Sequence, residues 1–219
     1  MTGRLVVFDV DGTLVDSQQL ILAAMDRAFD LLGAEPPAAA ETLAVVGLSL
    51  PEAMRALRPG FDAATIDALV AGYKSGYSPS GQGGEGAAPL YPGALAALQT
   101  LAEMPGLLLG LATGKSRRGL DGLMQAHGLA QYFVTTQVAD DHPSKPHPSM
   151  LQRCLAETGA EKGVMIGDTA FDMAMGRAAG FATIGVSWGY HGRDRLQQAD
   201  RVIDRFDQLH PALLAIWGA

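Results

Sequence analysis

Cysteine occurs once in this 219-residue chain, at Cys154. No internal disulfide can form, which suits a reducing compartment. Cys154 sits among Met150, Leu151 and Leu155 at helical spacing, the pattern of a small core side chain rather than a nucleophile. Long apolar runs are missing too, and nothing approaches the roughly 18 uninterrupted residues of a membrane span. The first apolar run starts at Leu5, leaving no room for a secretory leader, so a cytoplasmic protein with no membrane partner is expected. Positive charge is scarce, with 16 Lys and Arg against 23 Asp and Glu and a net charge of −7. Binding to a nucleic-acid backbone needs a basic footprint, and the densest basic spot is only Lys115-Ser116-Arg117-Arg118; no nucleic-acid partner is expected. The five histidines, His127, His142, His147, His191 and His210, are scattered and suggest no imidazole metal site. No internal repeat is present.

What the chain does have is a substantial apolar fraction, 48%, enough for one large domain or one domain with a modest insertion. Its organising stretch is RLVVFDVDGTLVD, Arg4 to Asp16. Leu5-Val6-Val7-Phe8 is short and β-branched enough to be a strand buried on both faces. It stops at Asp9 and Asp11, then Gly12-Thr13. Two carboxylates at the rim of a sheet are costly unless a cation or a reaction uses them. An Asp-Gly turn would explain Asp11-Gly12 but not Asp9, which is too close to the apolar run to be an idle turn residue.

From Ser17 to about Ser78 the apolar spacing is helical throughout, with Ile21, Ala24, Met25, Ala28, Leu31 and Leu32 in the first helix and Asp62 capping a later one. SPSGQGGEG, Ser78 to Gly86, reads as a flexible linker. After Leu90, strands and helices alternate: strands over 107–112, 132–136, 164–166 and 183–186, helices over 116–127, 147–157 and 171–179, with a short edge strand at Val202-Ile203 and a last helix over 211–217. That alternation predicts an α/β fold, a Rossmann-like parallel sheet with right-handed crossovers. The helical block interrupts it after the first strand only, so residues 1–16 and 88–219 form the core and 17–87 an inserted all-helical cap.

Three further signals fall at strand ends or in adjoining loops: Thr113-Gly114, Lys145 in Ser144-Lys145-Pro146-His147-Pro148, and Gly167-Asp168 with Asp172 four residues on. In a parallel sheet these ends share one edge, where open α/β sheets keep their ligands. FDVDGTL, the Thr, the Lys and the GDxxxD pair, in that order, resemble the four motifs of the haloacid dehalogenase superfamily. The helical insertion, with Leu90-Tyr91-Pro92-Gly93, Lys145-Pro146-His147-Pro148 and Gly47-Leu48-Ser49-Leu50, resembles the phosphoglycolate phosphatase-like branch.

The resemblance implies a phosphomonoester hydrolase in which Asp9 is the nucleophile, forming an aspartyl-phosphate. Asp11 is then general acid and base; the dehalogenases of the superfamily lack an aspartate there, because halide leaves without a proton. Lys145 supplies positive charge, and Thr113 with the Gly114 N–H supplies donors for the phosphoryl oxygens. Mg²⁺ is expected on Asp9, Asp168 and the carbonyl of Asp11, with Asp172 behind them holding a metal-bound water or Lys145. Ser49 and Leu50, in a cap loop that closes over the phosphate, are the expected substrate contacts. Lys115 reads as peripheral, His147 as a structural hydrogen-bonding residue and the only histidine near the site, and Met173 and Met175 as packing and rim residues. The expected partner is a small phosphorylated metabolite, 2-phosphoglycolate first among them, turned over by a monomer or homodimer. The alternatives are a phosphomutase of the β-phosphoglucomutase type, a pyrophosphatase or other-substrate phosphatase on the same scaffold, and a binding module with a dead site. The mutase family carries an Arg in the cap loop where this chain has Leu48 to Pro51; intact Asp9, Asp11, Lys145 and Asp168 argue against a dead site.

Overall fold

The computed structural model describes residues 3–77 and 88–218. The expected linker, 78–86, lies outside the described residues. Six strands form one parallel sheet: β1 Arg4–Phe8, β2 Leu107–Thr113, β3 Thr135–Val138, β4 Gly163–Gly167, β5 Ala182–Val186 and β6 Arg201–Ile203, in the order β3-β2-β1-β4-β5-β6. The fold is α/β and Rossmann-like. Strand β1 is central, and Leu5 to Phe8 are fully buried. Its side chains alternate as a pleated strand requires: Val6 and Phe8 enter the larger core on one face, Leu5 and Val7 the smaller core on the other.

The strand order reverses at the β1–β4 neighbours. A crevice opens outside the carboxyl ends of strands at such a switch point. Register places the acidic loops there, because Phe8 pairs with Ile166 and the Asp9 N–H donates to the Ile166 carbonyl at 2.8 Å.

Directly after β1 come α1 Gln18–Leu31, α2 Ala39–Ala44, α3 Leu50–Leu57 and α4 Ala63–Gly76. These helices bury a cluster of their own, Met25, Ala28, Phe29, Met54, Ile66 and Leu69. Helices α1 and α4 approach closely at Gly72, where a Cβ would sit 3.1 Å from the Ala28 Cα. Asp62 caps α4 by accepting from the Thr65 N–H at 2.8 Å. The remaining helices are α5 Ala94–Ala102, α6 Arg117–His127, α7 Ser149–Thr158, α8 Ala170–Ala178 and α9 Leu209–Trp217.

Two elements differ from the sequence reading. The third strand begins at Thr135, not Tyr132. Ala130–Tyr132 instead form a 3₁₀ turn, from which Tyr132 and Phe133 pack against the core as a loop would, so their apolarity mimicked a strand. Helix α5 has no counterpart in the sequence reading. Its start has no polar cap, only Gly93 at φ +86°, though Ala94, Leu98 and Leu101 do have helical spacing.

Candidate active site

The loop after β1 folds back on itself. The Thr13, Leu14 and Val15 amides all donate to the Val10 carbonyl, at 3.2, 2.9 and 3.0 Å. This needs Gly12 at φ +81°, and a Cβ there would overlap the Asp168 carboxylate. The tight turn aims the Thr13 hydroxyl at Asp168 Oδ1, 2.9 Å away. From the loop after β5 the Tyr190 N–H donates to Asp168 Oδ2 at 2.8 Å. Asp168, fully buried, is thus fixed from two strand ends at once.

Lys145 reaches in from the loop after β3. Its ammonium lies 2.8 Å from Asp9 Oδ1 and 2.7 Å from Asp172 Oδ1. Asp172 Oδ2 accepts from the Thr169 N–H at 3.0 Å and the Thr169 hydroxyl at 2.7 Å, closing the start of α8. Asp9 is different. Its Oδ1 meets the Lys145 ammonium as an ion pair, and its Oδ2 has no partner among the described residues.

Burial works against charge here. It lifts the Asp9 carboxyl to about 7, opposed by Lys145 and reinforced by Asp172 and then Asp11. Burial likewise pushes Asp168 well above the carboxylate range, with Asp172 and Asp9 adding to it. Burial alone would pull Lys145 down, but Asp172 and Asp9 outweigh it and raise it. Asp9, Asp168 and Asp172 each offer an oxygen within 4.8 Å of the others. Three buried carboxyl groups share one ammonium, and Asp9 Oδ2 has no partner among the described residues. An oxygen-rich, acidic donor set of this kind fits a hard divalent cation such as Mg²⁺. Asp172 has both oxygens engaged, by Lys145 and Thr169, which leaves Asp9 and Asp168 the better placed to ligate.

Asp11 faces the other way. Lys115 grips both its oxygens, at 2.7 and 3.0 Å, and the Ser17 hydroxyl donates to Oδ1. Tyr77, from the end of α4, meets the same ammonium at 2.6 Å, and the Tyr190 hydroxyl lies 3.1 Å from that of Ser17. The peripheral reading of Lys115 is therefore corrected: the side chain is buried against Asp11. Burial lowers its affinity for a proton, but Asp11 and Tyr77 more than offset that. Nothing local in the sequence marks this, because Tyr77 and Asp11 are distant in the chain. Thr113, buried at the end of β2, accepts the Lys115 N–H at 3.2 Å. A Cβ on Gly114 would come within 2.7 Å of the Leu48 carbonyl, so the Gly47–Leu48 loop rests directly on it.

That loop is tied down further. The Ser49 N–H donates to the Ser144 hydroxyl at 2.8 Å. His191 is buried and spans the two layers, accepting from the Ala170 N–H at 3.0 Å and lying 3.1 Å from the Ala44 carbonyl. The expectation that His147 is the only histidine near the site is corrected by His191. His147 accepts the Ser149 N–H at 3.2 Å. Met173 and Met175 are fully buried and stand at no rim. Cys154 is buried, its thiol pushed up to about 12 by burial, an inert state. Asp9, Asp11, Thr113, Gly114, Ser49 and Leu50 line one cavity of about 420 Å³.

The family model for haloacid dehalogenase-like hydrolases matches residues 6–186. The chain is 33% identical to the Probable phosphatase IndB of Dickeya dadantii (strain 3937), over 97% of this chain and 94% of that one. It is 31% identical to the Phosphoglycolate phosphatase of Pseudomonas fluorescens (strain Pf0-1), over 96% of this chain and 80% of that one. The crystal structure of a hydrolase from Pseudomonas syringae superposes with a TM-score of 0.84 at 24% identity, covering 99% of each chain.

Proposed function

This chain belongs to the haloacid dehalogenase-like hydrolases, and from that premise we propose that it is a Mg²⁺-dependent phosphomonoesterase working through an aspartyl-phosphate on Asp9. The observation that carries this reading is the state of Asp9: buried, ion-paired with Lys145 through Oδ1, and with Oδ2 left without a partner among the described residues.

An Asp9 oxygen attacks phosphorus as the bond from phosphorus to the ester oxygen breaks. The departing alkoxide takes a proton from Asp11 and leaves as the alcohol. Asp11, now a carboxylate, is held by Lys115 and Ser17. It then takes a proton from water, whose oxygen attacks phosphorus and breaks the bond to Asp9, releasing inorganic phosphate. Thr113 and the Gly114 N–H receive the phosphoryl oxygens, and Lys145, positioned by Asp172, offsets their charge. Mg²⁺ on Asp9, Asp168 and the Asp11 carbonyl would supply the remaining positive charge.

Residues 17–87 act as a cap on a core of 1–16 and 88–219, with Ser49 and Leu50 facing the leaving group. The enzyme acts as a monomer or homodimer on a small phosphorylated metabolite in the cytoplasm. No described helix is long and apolar enough to cross a membrane. A phosphomutase is disfavoured by the cap loop, which offers Leu48 to Pro51 and no arginine. 2-Phosphoglycolate, the substrate in one relative's name, is the reference compound.

The test is phosphate release from a generic aryl phosphate, followed by acid quench with phosphoryl-labelled substrate. Turnover should need Mg²⁺, and label should remain on the peptide containing Asp9. Robust turnover by Asp9→Asn, or in excess chelator, would end this reading.

A further inference from the structure

The cavity that begins at Asp9 and Thr113 continues past the phosphate end to a wall made by the helical layer. Ile21 and Met25 of α1, Val45 and Val46 after α2, and Leu50 of α3 line it. Thr42 of α2 and Tyr73 of α4 add hydroxyls to this wall. Thr42 is only 1% exposed, and none of the side-chain hydrogen bonds among the described residues involves either hydroxyl. Burial raises the Tyr73 phenol well above its ordinary range, keeping it a neutral donor. Cations on the same lining are placed differently. Lys115 is committed to Asp11, while Lys74 and Arg118 are exposed and bridge to no carboxylate among the described residues.

Size and polarity both bear on the leaving group. A cavity of about 420 Å³ equals about fourteen water shares at roughly 30 Å³ each. Glycolate adds only one methylene and a carboxylate to the phosphoryl group. Its carboxylate would have to shed water against Ile21, Val45 and Val46 with no free buried cation among the described lining residues to receive it, which is costly. The second phosphoryl group of pyrophosphate meets the same wall with more charge. An apolar body dehydrates the wall favourably, and one or two polar atoms on it would satisfy Thr42 and Tyr73. The exposed Lys74 and Arg118 then serve to draw the anionic ester inward.

We propose that the preferred substrates are phosphomonoesters of a ring-sized, largely apolar alcohol carrying one or two neutral hydrogen-bonding groups, selected by the Ile21, Met25, Val45 and Val46 wall with Thr42 and Tyr73. The inference rests on the phosphomonoesterase reading above.

Phosphate release with Mg²⁺ is measured for acetyl phosphate, 2-phosphoglycolate, pyrophosphate and a set of aryl and hydroxylated alicyclic monophosphates. The ring-bearing esters should exceed 2-phosphoglycolate and pyrophosphate in kcat/KM by about tenfold or more, the scale of hydrophobic-pocket discrimination. In Val45→Asn, the ratio of ring ester to acetyl phosphate should fall about tenfold. Val46→Thr, nearly isosteric and so gentle on the fold, should lower the same ratio by a smaller factor. Preference for 2-phosphoglycolate or pyrophosphate, or an unchanged ratio in both variants, overturns the inference and leaves the phosphatase standing. Release from no compound at all overturns both.

Discussion

Lys145 is the residue on which the charge balance of the site turns. It is the buried cation between Asp9 and Asp172, each within 2.8 Å. Removing one partner of a buried pair leaves its neighbours uncompensated, at about 3–5 kcal/mol. Lys145→Met should lower stability by that order in urea unfolding without Mg²⁺, and Asp172→Asn combined with it should recover part of the loss. A double variant no more stable than Lys145→Met would show that repulsion is not the cause. Lys115 makes a different prediction. It touches Asp11 and Tyr77 rather than Asp9, so Lys115→Met should lower turnover of an alkyl phosphate by part of the roughly 10²–10⁴-fold that acid–base catalysis contributes. An aryl phosphate, whose leaving group hardly needs the proton, should suffer less. Equal losses on both esters would count against Asp11 as the acid.

At the level of elements, the sheet explains what could be read in advance and what could not. The acidic strand ends were legible because a buried parallel strand is a short apolar run, and a carboxylate directly after one has few innocent explanations. Register then carries Asp9 beside Gly167 without further information. The start of β3 is not legible, because apolar residues in a packed 3₁₀ turn look like strand residues when only sequence is seen. The settings of Lys115 and His191 are hidden in the sequence for one shared reason: they are assembled from distant segments, Tyr77 for one and Ala44 for the other. His191 joins α8 to the carbonyl of the last residue of α2, and burial holds its pKa below the ordinary value. A histidine kept neutral by the fold contributes stability that is fully present above its unfolded value of about 6.5 and is lost as pH falls below it. Acid also costs the acceptor for the Ala170 N–H. His191→Gln should therefore flatten the decline of the melting temperature between pH 7 and 5 relative to wild type. An identical decline in both proteins would remove His191 from the account.

For the whole molecule, the crowding of carboxylates at the sheet edge would couple folding to the binding of a cation there. Asp9 and Asp168 both resist ionisation in the folded chain because they are buried together, and the unfolded chain has no such crowding. A cation that binds only the folded form stabilises it by RT ln(1 + [L]/Kd), about 2.7 kcal/mol at a hundredfold excess over Kd. For a chain of this length each kcal/mol moves the melting temperature by about 2–4 °C. Saturating Mg²⁺ should thus raise it by roughly 5–10 °C over excess chelator. Asp168→Asn tests whether the gain arises at this edge: it removes a proposed ligand and part of the repulsion together. The variant should melt higher than wild type in chelator and gain little from Mg²⁺. Should it keep the full Mg²⁺ gain, the cation sits elsewhere, and the crowding of Asp9, Asp168 and Asp172 needs another explanation.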